Sequence, residues 1–70
     1  MKLYKVKKKF WNYNSSVCIV ADAFILLIES DFKETRKTRG ANIKYIYAGK
    51  LQKSMLNLYE FQNHLKLVSQ

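Results

Sequence analysis

The stretch NIKYIYAGKLQKSML, residues 42–56, decides how this chain is read. Ile43, Tyr45 and Tyr47 fall on alternate positions. Period two is the pattern of a strand with one face on a core. Ala48-Gly49-Lys50 interrupts the run, and a second strand-like segment follows over residues 51–56. Gly49 reaches positive φ without steric cost, which a tight hairpin turn demands. The stretch predicts an antiparallel hairpin, with strands over residues 43–47 and 51–56.

Upstream, VCIVADAFILLIES (residues 17–30) is rich in β-branched and aromatic side chains. Its length predicts two short strands or one sharply bent strand, with the bend at Ala21-Asp22-Ala23. At the start of the chain, KLYKVKKKFW (residues 2–11) alternates. Tyr4, Val6 and Phe10 point one way; Lys5, Lys7, Lys9 and Trp11 point the other. Lys8 breaks the inward set and predicts a bulge or a curl. NYNSS (residues 12–16) is turn chemistry, because Asn and Ser satisfy nearby backbone groups with their own side chains.

Downstream, NLYEFQNHL (residues 57–65) predicts a short helix. Asn57 is the N-cap and Glu60, three residues on, completes a capping-box pattern. Leu58, Phe61 and Leu65 share one helical face. LKLVS then closes the chain with a short strand. The predicted core is Val6, Phe10, Ile19, Phe24, Leu26, Ile28, Ile43, Tyr45, Leu56, Phe61 and Leu65.

Short strands in this order bury their faces best as a curled barrel. The order of strand, bent strand, polar loop, hairpin, helix and final strand resembles the Src-homology-3-like small barrel superfold. In that likeness NYNSS lies at the first long loop, DFKETRKTRGAN (residues 31–42) at the second, YAGK at the distal hairpin, and NLYEFQNHL before the last strand. The resemblance implies a mainly β domain: a five-stranded SH3-like barrel with one short helix before the last strand. A small α+β domain with an antiparallel sheet is the alternative. The acidic first loop and ALYDY-type string of proline-peptide binders are absent. The likeness is one of architecture, and such folds host many functions.

Seventy residues make one domain, residues 1–70. So short a chain buries only roughly 60% of its unfolded surface. Hydrophobic residues make up 49% of it, enough for a core and too many for a disordered chain. The formal charge of +8 favours anionic partners. A/T-rich codons would also enrich Lys, Asn, Ile and Tyr, so the charge alone does not name a ligand. The single cysteine, Cys18, sits in an apolar run and reads as a small buried hydrophobe in a reducing, cytoplasmic setting. No signal-peptide pattern is present, and the apolar run of residues 17–28 is far too short to span a bilayer.

Catalytic chemistry finds no footing here. His64 is the one histidine, and with one distant Cys it makes neither a nucleophile–base pair nor a metal site. No Gly-rich phosphate loop exists. The expectation is a non-enzymatic protein with no cofactor, metal or small-molecule substrate.

The cations carry more. Lys5, Lys7 and Lys9 project from one predicted strand face with Trp11 in line. Such a row is edge protection or a phosphate track. Trp11 and Tyr13 at its end suit nucleic acid, because bases stack on aromatic faces beside cations. Lys33, Arg36, Lys37 and Arg39 crowd residues 31–42, and both arginines of the chain are there. Arginine grips phosphate and carboxylate with a planar fork that lysine lacks. Two partner classes follow: nucleic acid, DNA or RNA, and an acidic host protein surface. In the second reading the chain is similar in style to small phage and mobile-element proteins that inhibit a host or defence complex. Neither reading involves a membrane.

Overall fold

The computed structural model describes residues 1–31 and 40–69. The hairpin is there: β5 (Ala41–Tyr47) and β6 (Lys50–Leu56) pair from Ala41 opposite Leu56 to Tyr47 opposite Lys50. The turn holds two residues, and both are left-handed, Ala48 at φ 51° and Gly49 at φ 77°. Two positive φ values are the type I′ pattern, whose twist matches that of paired strands. Ala48 therefore shares a task that the sequence assigns to Gly49 alone.

Before the hairpin come β1 (Lys2–Val6), β2 (Phe10–Trp11), β3 (Cys18–Ile19) and β4 (Phe24–Ser30). After it come α1 (Leu58–His64) and β7 (Leu65–Ser69). The main sheet has the order β6-β5-β4-β1-β7 and is antiparallel throughout; β2 and β3 form a separate two-stranded sheet. The domain is mainly β, with one short helix before the last strand. The helix begins as the sequence predicts. Asn57 accepts from the Glu60 N–H at 2.8 Å, and the Glu60 carboxylate accepts from the Asn57 N–H at 3.0 Å. Leu65 belongs to the strand that follows.

One strand prediction changes and another holds. The predicted strand over residues 2–11 breaks after Val6. The N–H groups of Lys7 and Lys8 both turn to the His64 carbonyl, at 2.6 and 3.4 Å. His64 Nδ1 lies 2.8 Å from the Lys8 carbonyl, which can only accept, so Nδ1 carries the proton. The segment of residues 17–30 does split where predicted. Asp22 sits at φ 69°, and its N–H donates to the Val6 carbonyl at 2.8 Å.

The core holds Val6, Phe10, Ile19, Ile25, Leu27, Ile43, Tyr45, Leu56, Phe61 and Leu65. Eight of the eleven predicted members are there, but Phe24, Leu26 and Ile28 are not core residues. Ile25 and Leu27 take their place. A register shift of one residue sends every side chain of a strand to the opposite face. β4 reads FILLIES, apolar on both faces, so alternation cannot choose between them. Pairing chooses: Tyr4 lies opposite Ile25, and Leu27 opposite Tyr45. A bulge between Leu27 and Glu29 then reverses the phase and sets Glu29 against Lys44. Phe61 closes the core from α1, its ring edge-on to Tyr4 at 5.2 Å.

Candidate binding surface

The broken first strand rearranges the predicted lysine row. Lys5 stays on β1, on the face away from the core, with Nζ 3.8 Å from Asp22. Lys7, Lys8 and Lys9 are exposed in the bend that His64 fastens. Trp11 lies in the other sheet, on β2. Lys5, Lys7, Lys9 and Trp11 thus do not share one strand face. Lys33, Arg36, Lys37 and Arg39 lie outside the described residues. The chain on either side of them is fastened, because the Asp31 carboxylate accepts from the Asn42 N–H at 2.7 Å and the Asp31 N–H donates back to the Asn42 carbonyl at 3.2 Å.

What comes together instead is an aromatic corner. Trp11 and Tyr13 are 52% and 59% exposed, although both come from short, well-tied backbone. The ties start with Ser54, which is fully buried on β6. Its hydroxyl lies 2.8 Å from the Trp11 carbonyl and 2.6 Å from the Tyr45 hydroxyl. A carbonyl cannot donate, so Ser54 gives its one proton to Trp11 and Tyr45 must donate to Ser54. The chain Tyr45 to Ser54 to Trp11 therefore has one direction. Tyr13 is bound next, its N–H donating to the Lys53 carbonyl on the same strand.

Asn12, between the two aromatics, organises the loop. Its side-chain oxygen accepts from the N–H groups of Ser16 and Val17 at 2.8 and 3.2 Å. Its amide nitrogen donates to Gln52 at 3.1 Å. Ser15, at φ 57°, completes the turn. The rings thus stand exposed on a backbone that these hydrogen bonds fasten. Cys18 lies opposite Trp11 on β3 and is half-buried, more open than its apolar run predicts.

Two clefts flank this corner, and Tyr13 borders both. One, about 600 Å³, is lined by Tyr13, Asn14, Lys44, Leu51 and Lys53 among others. The other, about 540 Å³, takes in Lys9, Trp11, Tyr13, Met55 and His64. Lys44 is engaged with Glu29 at 3.7 Å. Asn42, which is hydrogen-bonded to Asp31, also borders the first cleft. Flat aromatic faces with ammonium groups at hand can hold a planar ring and an anionic group together.

Beneath the corner, burial pushes the Tyr45 phenol above its ordinary value. The Ser54 hydroxyl pulls the other way, because it could turn toward a phenolate, but only by releasing Trp11. Burial raises Tyr4 as well. Among the described residues no helix is long and apolar enough to cross a membrane.

Asn12 does what the turn chemistry of NYNSS predicts, whereas Lys53, Gln52 and Ser54 carry this arrangement without a place in the sequence reading. One signal was present. Gln52 and Ser54 occupy the inward parity of β6, and a polar residue at an inward position needs a hydrogen-bond partner.

Comparison with known proteins finds no matching family model, no similar curated protein and no similar solved structure.

Proposed function

We propose that the chain is a non-catalytic nucleic-acid-binding module of the SH3-like barrel kind, which holds single-stranded DNA or RNA at the Trp11–Tyr13 corner. The observation that carries this is the pair of open rings on a tied backbone, next to Lys9 and Lys53. Leaving so much aromatic surface in water forgoes the free energy of burying it. Stacking on a base recovers it, at about 1–3 kcal/mol per base. Lysines at both clefts supply the phosphate contacts, within a chain of charge +8. The barrel reading draws on the strand order β7-β1-β4-β5-β6 and on the helix before β7. Lys5, Lys7, Lys33, Arg36, Lys37 and Arg39 enter as added positive charge, on the strength of the sequence. A cytoplasmic location accords with such a ligand and with one unpaired cysteine.

Trp11 is the one tryptophan, so its fluorescence reports directly on the site. Titration with oligo(dT) or oligo(U) at low salt should quench it. Trp11→Ala with Tyr13→Ala should weaken binding by about tenfold or more, given about 1–3 kcal/mol per stacked base. Adding salt should weaken binding linearly on a log–log plot. If the double variant binds as tightly as wild type, the corner is not the site. If wild type leaves the fluorescence unchanged, the nucleic-acid reading fails.

A further inference from the structure

The face of the main sheet turned away from the core is not polar throughout. Leu51, Ile46, Leu26 and Leu3 stand directly opposite one another on β6, β5, β4 and β1. Directly opposed residues share a face. At about 4.8 Å between strands the row runs about 14 Å across the sheet. Leu51 is 59% exposed, and Phe24, two residues before Leu26, is 54% exposed.

Lysines bracket the row in pairs. Lys5 and Lys66 oppose each other on one side, and Lys44 and Lys53 on the other. Among the described residues Glu29 and Asp22 answer them, each through one surface ion pair near 4 Å long, 3.7 Å for Lys44–Glu29 and 3.8 Å for Lys5–Asp22. The face is thus an apolar band between two cationic margins. A second copy of this chain would set lysine margins against lysine margins, which charge repulsion opposes. A bilayer calls for protruding apolar side chains, yet Leu3, Leu26 and Ile46 are each half-buried in the row.

We infer that this outer face docks an acidic amphipathic helix of a partner protein. Its apolar ridge lies along the row, and Asp and Glu on both flanks meet Lys5, Lys66, Lys44 and Lys53. A row of about 14 Å matches nine or ten residues of helix at 1.5 Å each, so apolar residues at i, i+3, i+4 and i+7 fill it. The inference is independent of the nucleic-acid reading, although the row meets the first cleft at Leu51, Lys44 and Lys53.

The test uses the full chain, labelled with nitrogen-15, and a synthetic helical peptide with leucine at i, i+3, i+4 and i+7 and glutamate on both flanks. Binding should shift the amides of Leu3, Leu26, Ile46 and Leu51. A peptide with lysine for glutamate should fail to bind. Phe24→Glu and Lys66→Glu alter exposed residues and should leave the fold intact, and together they should weaken the peptide at least about tenfold. Three results would overturn the docking site: no shift at about 1 mM peptide, a weakness beyond any useful affinity; shifts confined to Trp11 and Tyr13; or equal binding of the lysine peptide. Tighter occupation of the row by anionic phosphatidylglycerol vesicles, or by a second copy of the chain in a concentration series, would overturn it as well. Oligonucleotide binding is scored separately on Trp11 fluorescence, so loss of either site leaves the other standing.

Discussion

On β4, Ile25 and Leu27 enter the core at 1% and 7% exposure, while Phe24 stands 54% exposed on the opposite face. All are large and apolar, and they are neighbours in one strand. The inner face is closed by α1, by the β2–β3 sheet and by a buried hydroxyl chain in which the buried polar side chain, Ser54, has its partners. The outer face has the same kind of side chain in a row but lysines where the inner face has a lid. Hydrophobicity therefore does not mark the inside of this protein; closure does. An apolar residue gains its full stabilisation only where neighbours remove it from water on every side.

The contrast breaks most visibly at the lid. Phe61→Ala empties the space under α1 and should cost roughly 3–5 kcal/mol, enough to unfold a domain with so small a margin. An unchanged melting temperature would show that α1 does not close the core. The register of β4 is tested next. Leu27→Ala should cost about 2–5 kcal/mol, whereas Phe24→Ala should cost well under about 1 kcal/mol. Equal costs by urea denaturation would put the wrong residues inside.

Ser54→Ala removes the middle of the hydroxyl chain and strands the Tyr45 hydroxyl and the Trp11 carbonyl. A loss of about 1–3 kcal/mol is expected. Trp11 should also become more mobile, which its fluorescence anisotropy would register; an unmoved anisotropy would mean that Ser54 does not hold the aromatic corner. Tyr45 adds a dependence on pH. Its folded value is raised above 10.0, so the unfolded chain loses this proton first. The contribution of Tyr45 is fully present below pH 10 and is lost as pH rises through the folded value. Tyr45→Phe should remove that part of the alkaline decline, leaving the part that the other groups cause. The smallest change lies in the hairpin turn. Ala48 is held at φ 51°, where Asn is at home and Ala is not. Ala48→Asn should stabilise by about 0.5–1 kcal/mol, read as a raised melting temperature.

Much of the chain is legible without the structure. Asn57 with Glu60, and Gly49 between alternating runs, are local codes whose partners lie within a few residues. The bend at Asp22 is likewise marked by a short polar break between apolar runs. The aromatic corner is only half legible. Trp11 and Tyr13 stand out by type, but Lys53 and Ser54, 40 and 43 positions from the residues they bind, reach them only through the folded sheet. The lysine row was misread for a similar reason. Lys8 marks an irregularity in KVKKKFW, and the chain does bend there, but only the His64 carbonyl, from the far end of the chain, takes the strand's course away after Val6.

The sequence by itself determined the class of this protein: a short, cationic, mainly β domain with one capped helix and a tight hairpin turn at Gly49. Those features rest on backbone preferences and on hydrogen bonds between near neighbours, which each segment carries wherever it goes. The tertiary structure alone decided which face of β4 is inside, where β1 stops, and which aromatics stay in water. β4 is apolar on both sides, so its own residues are indifferent to the choice. Only the strands beside it, with Tyr4 and Tyr45 opposite Ile25 and Leu27, make one face better than the other.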